Sequence, residues 1–279
     1  MRKLNLEGKT VFLTGATGGL GLHLSQALAF AGARLGLVAY PGEEIPALEE
    51  KLRSAGTMVC AVRADLTLPE GRRLFLERAR ETLGPPEILI NNAGDEVTCP
   101  FHLLAESEVI RLLRVNLEAA VMLSHAVLPK MLAAGRGSLI HISSLAGKSG
   151  PACQEPYGAG KAGLIAFNQS LRATYRSTGV HSTVVCPGFV ETGIYTRSVA
   201  ATGVRAPRLL GTSRPETVVR AVLRAIRDAP PEIMVNPAPL RPLFALCSLF
   251  PRLGEALVEW TGGQDYFRRV AAKHRQNGG

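Results

Sequence analysis

The segment VFLTGATGGLG, residues 11–21, decides the reading of this chain. It runs from a strand-like apolar stretch through a glycine-rich turn into a helical pattern at residues 19–31. Each glycine has a purpose if the turn cradles a dinucleotide. One permits the tight turn, one lets the backbone approach a pyrophosphate, and one lets the helix pack against the strand. A helix that starts there presents free N–H groups and its positive dipole end to an anion. Glycine also ends strands for purely structural reasons. The strand and helix in the right order favour the dinucleotide reading, with Thr14, Gly15, Thr17, Gly18, Gly19, Leu20 and Gly21 as its contacts.

Outward from this turn, short apolar runs alternate with longer amphipathic ones. Strands are expected at residues 9–14, 34–39, 58–62, 87–91, 138–143, 180–186 and 232–235. Helices are expected at 43–55, 69–83, 157–178 and 215–228, with one or two more within 105–134. Such alternation implies an α/β protein with a mostly parallel seven-stranded sheet covered by helices on both faces. Right-handed crossovers make it a doubly wound, Rossmann-type fold. Two stretches break the rhythm. Residues 188–211 have few apolar anchors and suit a loop with a short helix, placed as a substrate lid. Residues 236–279 form an extension whose part at 236–263 is rich in proline and large apolar side chains, and whose end at 274–279 is expected to fray. The expected organisation is one catalytic domain over residues 1–279.

The chain has 279 residues, enough for a large single core, and its 46% hydrophobic and 20% charged residues exclude global disorder. The first ten residues carry charge before any apolar run, so no signal peptide is expected. No uninterrupted apolar stretch approaches a bilayer-spanning length. Cys60, Cys99, Cys153, Cys186 and Cys247 are scattered, which suits buried thiols in a reducing, cytoplasmic setting. The six histidines are dispersed and no metal-site spacing occurs, so no metal is expected. The net charge of +9 can attract a phosphorylated cofactor or an anionic membrane. Nucleic acid is not expected, because neither zinc-finger spacing nor aromatic-basic interleaving accompanies the charge.

The tip of the second strand ordinarily reads the adenosine ribose. An acid there binds the 2′-hydroxyl and repels a 2′-phosphate. This chain has Ala39 and Tyr40 followed by Pro41 and Gly42, with neither acid nor arginine at the tip. The missing carboxylate leans the expectation from NAD(H) slightly toward NADP(H). Asp65, just past the third strand, reads equally as an adenine acceptor or as a cap for the following helix.

With these residues assembled, the chain closely resembles the short-chain dehydrogenase/reductase family over residues 6–235. Thr14, Gly15, Gly19 and Gly21 match its TGxxxGxG turn, and Asn91, Asn92, Ala93 and Gly94 its NNAG motif. Ser144 precedes Tyr157 by thirteen residues, and Lys161 completes YxxxK. Asn116, the pair Pro187 and Gly188, and Thr192 fall at further family positions. The resemblance makes Asp65 an adenine contact and adds Tyr40, Leu66, Asn92, Ala93, Gly94, Val190 and Thr192 to the cofactor site. Gly160 departs from the family's more frequent serine before the lysine, and Gly18, Ala39 and Tyr40 carry neither usual cofactor-selecting charge.

The activity implied is hydride transfer between a nicotinamide and an alcohol or carbonyl carbon. Tyr157 and Lys161 are four apart on a predicted helix and share a face. A nearby ammonium would favour the phenolate and lower the tyrosine pKa, fitting Tyr157 for acid/base work. Lys161 would also hold the nicotinamide ribose, Ser144 would bind the substrate oxygen, and Asn116 would hold a relaying water. Ser143 competes with Ser144 on position alone.

The substrate walls are expected from Leu145, Gln154, Phe189 and Ile194, with Val97, Ala146, Ala152 and Cys153 beside them. Their apolar character suits a hydrophobic alcohol or ketone, with Gln154 as a polar handle. Asp95 and Glu96 follow the NNAG turn and read either as a border of the active-site mouth or, in preference, as surface residues. A homodimer or homotetramer is expected through the helices at 105–134 and 157–178, as the resemblance implies. Leu243, Phe244, Leu246, Leu249 and Phe250 offer a peripheral membrane contact. A catalytically weak dinucleotide-binding regulator and a membrane-associated scaffold are the alternatives from other classes.

Overall fold

The computed structural model describes residues 4–277. Its sheet contains β1 (Thr10–Thr14), β2 (Arg34–Ala39), β3 (Val59–Arg63), β4 (Ile88–Asn91), β5 (Gly137–Ile142), β6 (Val180–Pro187) and β7 (Glu232–Val235). They lie in the order β3-β2-β1-β4-β5-β6-β7, and every adjacent pair is parallel. The expected mostly parallel sheet is therefore parallel throughout. After β3 the chain crosses back and β4 pairs with the other side of β1. The strand order reverses at this point, so the connections after β1 and β4 diverge and open a crevice above their carboxyl ends.

Alternating side chains divide the core between the two faces. Val11, Leu13, Leu35 and Leu37 pack against Leu24 and Leu28 of α1 (Gly19–Phe30) and Val218 and Val222 of α8 (Pro215–Asp228). Phe12, Val38 and Leu89 face the opposite layer, where Phe75 of α3 (Pro69–Leu83) and Leu123 and Val127 of α5 (Ala119–Ala133) close over them. Burial on both faces explains why the strands read as nearly continuous apolar runs.

The segment expected as one or two helices is continuous from α4 (Glu106–Leu113) into α5 through a π-helical turn at Arg114–Glu118. Helix Glu106–Ala133 has the length and mean hydropathy, 1.2, to cross a bilayer, contrary to the sequence expectation. Its apolarity is that of a core helix, with Leu112, Leu123, Val127 and Met131 buried in the protein.

The segment expected as a lid carries α7 (Gly193–Thr202), and the C-terminal extension folds into α9 (Arg241–Leu249), α10 (Pro251–Trp260) and α11 (Gly263–Asn277). The expected fraying does not occur through residue 277, and residues 278–279 lie outside the described region. Tyr266 and Val270 of α11 are buried in a small second core with Val204 and Phe189. Packing thus anchors a segment whose local sequence reads as a tail.

Candidate active site

The glycine turn brings together β1, β4 and the segment at Thr192 and Gly193, which lies against Gly19. Gly15 adopts φ 63°, and a Cβ there would stand 2.9 Å from the Ala93 Cα. A Cβ on Gly21 would stand 1.9 Å from the Gly15 carbonyl, so α1 packs on the turn only because that position is bare. Thr14 Oγ1 accepts from the backbone N–H groups of Asn92 and Ala93, each at 2.9 Å. The Asn92 amide donates back to the carbonyls of Thr14 and Gly15. These bonds tie the carboxyl ends of β1 and β4 into one floor. No side chain caps the start of α1, so its first N–H groups remain available to an anion.

A cavity of about 710 Å³ runs from this floor to the C-terminal helices. Its size lies within the range of roughly 300–1,000 Å³ common for small-molecule sites. Of the residues expected to hold the cofactor or do the chemistry, all but Thr14, Thr17 and Asn116 line it, as do Leu145, Gln154, Phe189 and Ile194 on the substrate side. Thr14 is buried as a brace between strands, and Asn116 sits behind the wall. Val97, Ala152 and Cys153, also expected at the substrate wall, do not line the cavity. Cys153 instead turns the chain with φ 60°, and its carbonyl accepts from Cys99 N.

At the adenosine end, Asp65 Oδ1 accepts from the Thr67 N–H at 2.9 Å and its hydroxyl at 2.7 Å. Helix α3 has Leu68 at its N-cap, so Asp65 shapes its own turn and does not cap the helix. Tyr40 and Leu66 line this end as well. Glu43 joins them, accepting a short hydrogen bond from the Thr17 hydroxyl. The sequence places Glu43 at the start of the next helix, which in fact begins two residues later as α2 (Ile45–Ser54).

The reactive side chains converge between β5 and α6 (Glu155–Thr174). Ser143 Oγ donates to the Lys161 carbonyl at 2.7 Å and is occupied with α6. Ser144 instead lines the cavity, accepts from the Ala146 N–H at 3.1 Å and donates to the Pro187 carbonyl at 3.4 Å. Lys161 is 4% exposed. Its Nζ donates to the Ile142 carbonyl at 3.0 Å and lies 5.6 Å from the Tyr157 ring centroid. Asn116 is held by the π turn, with its amide donating to the carbonyls of Leu112 and Asp95. Its Oδ1 is buried and accepts from no protein group. A Cβ on Gly94 would stand 2.8 Å from that oxygen and 3.0 Å from Lys161 Nζ, so both atoms face the same small space.

Burial dominates the electrostatics. It pushes the Tyr157 phenol up to about 12, with the Ser144 hydrogen bond opposing and the Glu96 charge adding to the rise. It pulls the Lys161 ammonium down to about 8, with Cys186 opposing. The expected lowering of Tyr157 by Lys161 does not appear: burial has the largest influence on the phenol, and Ser144 rather than the ammonium opposes the rise.

The substrate end departs further from expectation. Glu96 lies on the cavity wall rather than the outer surface, and one oxygen accepts from Thr98 Oγ1 at 2.7 Å and from the Gln154 amide. Burial raises its carboxyl pKa, while the bonds from Thr98 and Gln154 oppose the rise. Across the cavity, the Phe189 ring stands 4.9 Å from Tyr266 and 5.9 Å from Phe267. Gln264 fastens α11 to the loop after β5, accepting from the Ala152 N–H and donating to the Gly150 carbonyl. The helical spacing of Tyr266, Phe267, Val270 and Ala271 is the sequence signal that points to this packed face. Among the described residues, no group of three metal-ligating side chains gathers.

A parallel doubly wound sheet, a glycine turn at its switch point and a serine, tyrosine and lysine on one cavity define an oxidoreductase acting on CH–OH or C=O groups. The chain belongs to the short chain dehydrogenase family, which it matches over residues 9–202. It is 34% identical to the ketoacyl reductase HetN of Nostoc sp. over 98% of this chain and 96% of that protein. It is 33% identical to the Escherichia coli 3-oxoacyl-[acyl-carrier-protein] reductase FabG, covering 68% of this chain and 76% of that one. A solved structure from Sinorhizobium meliloti 1021 shares the fold with a TM-score of 0.72 at 24% identity, over 83% of this chain and 96% of the other. Membership carries with it the use of NAD(P)(H) and a small-molecule substrate.

Proposed function

We propose that this enzyme interconverts an apolar alcohol and its carbonyl, with Tyr157 as the acid/base. The observation that carries the reading is the convergence of Ser144, Tyr157 and Lys161 on the cavity that also holds the glycine turn. The residues fit a dinucleotide. The start of α1 is uncapped, and the Gly15 and Gly21 positions have no room for a Cβ. Gly15, Gly18, Gly19 and Leu20 would hold the pyrophosphate, Asp65 and Leu66 the adenine, and Lys161, Pro187, Gly188, Val190 and Thr192 the nicotinamide end. When bound, the nicotinamide supplies or accepts the hydride.

The chain's own groups do the rest. Ser144 Oγ hydrogen-bonds the substrate oxygen and steadies its developing charge. Tyr157 is a protonated phenol at neutral pH, set to donate to that oxygen during carbonyl reduction. Lys161 is an ammonium on the same face of α6 and, through a water held by Asn116 Oδ1, links the phenol to solvent. Leu145, Phe189, Ile194 and Phe244 surround the carbon skeleton, and Gln154 with Glu96 receives a polar substituent. The ketoacyl relatives make an oxo group on an acyl chain the first substrate to try.

The test is consumption of reduced dinucleotide absorbance by the purified protein with a panel of apolar ketones and 3-oxoacyl thioesters. Wild type turns over at least one, and Tyr157→Phe loses at least about 100-fold, the scale of acid–base catalysis. Dinucleotide binding without turnover of any carbonyl or alcohol would favour a regulatory protein instead.

Two features support the remaining partners. Exposed Ile110, Leu113 and Met122 on the α4–α5 helix fit self-association. The α9–α10 hairpin supports a second reading, a peripheral membrane contact. Its Leu249 and Trp260 are 73% and 75% exposed, with Phe250 and Leu253 between them, while Leu243, Phe244 and Val258 of the same hairpin line the cavity. An apolar molecule leaving a lipid surface would enter the site along this hairpin.

A further inference from the structure

We infer that Glu43 reads the adenosine ribose and makes this enzyme select NAD(H) over NADP(H). The inference rests on the dinucleotide reading above and runs opposite to the expectation drawn from the acid-free tip of β2. The turn at residues 40–44 folds back so that Glu43 lines the cavity together with Gly18, Tyr40 and Asp65. Its Oε2 is held by the hydroxyl of Thr17, inside the glycine turn itself. The carboxylate is therefore tethered to the loop that takes the pyrophosphate, at the end of the cavity formed by the carboxyl edges of β2 and β3.

Charge decides the consequence. A 2′-phosphate adds roughly two negative charges. At this end it would meet two carboxylates, Glu43 and Asp65. Among the described residues, the only lysine or arginine side chains lining the cavity are Arg111, Lys161 and Arg197. Arg111 and Arg197 pair with Asp95 beside the NNAG turn, and Lys161 belongs to the reaction centre. Arg63, in register with Ala39 on the neighbouring strand, is exposed and off the cavity wall. A ribose with a free 2′-hydroxyl can instead donate to the Glu43 carboxylate.

The experiment is a matched titration of NADH and NADPH against folded wild type, Glu43→Gln and Glu43→Ala, followed by protein-fluorescence quenching or calorimetry. Wild type is expected to bind NADH at least about tenfold tighter than NADPH, from like-charge repulsion at partly screened range. Both variants are expected to tighten NADPH and weaken NADH, shrinking the ratio severalfold. Raising the salt concentration should narrow the wild-type ratio, because screening weakens the repulsion. Equal or preferential binding of NADPH by wild type overturns the inference. A ratio unmoved in whichever variant folds also overturns it. Binding of neither nucleotide by folded wild type sinks the dinucleotide reading itself, a distinct failure.

Discussion

Tyr157 and Lys161 occupy one face of α6, and burial moves their proton affinities in opposite directions. Desolvation penalises the charged form of both groups, raising the phenol and lowering the ammonium. In the free protein, phenolate at Tyr157 should therefore form only above the ordinary tyrosine value of 10.0. Tyrosinate absorbance of wild type minus Tyr157→Phe, followed against pH without nucleotide, should show its midpoint well above 10. A midpoint below about 9 would mean that the neighbouring ammonium overcomes desolvation. The stability sign follows from the same shift. The raised Tyr157 value contributes stability that is complete below pH 10 and lost as pH rises toward 12. Ser144 and Tyr157 were legible through the family resemblance, whose motif spacing singles them out where position alone leaves Ser143 in competition. Glu43 and Glu96 were not, since each reaches the cavity through an irregular turn whose path is set by distant partners, Thr17 for one and Gln154 for the other.

Regular elements were largely legible from periodicity. Helices α3 and α8 begin and end where the sequence places them, each with a proline at its start where an N–H bond is not needed. The π turn at Arg114–Glu118 was not legible, because one extra residue in a helical turn leaves no mark on an apolar pattern. That turn nevertheless holds Asn116, whose amide reaches both Leu112 and Asp95. Helix α11 is the other element whose place depends on tertiary contacts. Tyr266 fills the space between Phe189 and Phe267, so Tyr266→Ala should cost about 2–4 kcal/mol of packing in that small core. KM for an apolar carbonyl should rise severalfold while dinucleotide Kd stays within about twofold, since uniform substrate contacts are lost far from the glycine turn. An unchanged KM, in protein whose melting temperature has fallen, would remove α11 from the substrate wall.

On the scale of the whole molecule, the sheet organises two ends of one cavity, with the hairpin at the outer end. The net charge of +9 favours approach to anionic lipid, and Arg252 lies between the exposed Phe250 and Leu253. Co-sedimentation of the full chain with phosphatidylserine-containing vesicles tests the membrane reading. Binding should fall at least about tenfold in the double variant Leu249→Asp, Trp260→Asp, from two lost apolar contacts. Binding that survives these changes but vanishes in neutral vesicles would assign the interaction to surface charge alone. The arrangement of the cavity also has a consequence for synthesis. The glycine turn at residues 15–21 and the serine, tyrosine and lysine leave the ribosome well before α11, which fastens over them through Gln264 and Tyr266. A nascent chain would thus acquire the means to bind a nucleotide before it can enclose a substrate, and catalytic competence would wait on the arrival of a wall made long after the reacting groups.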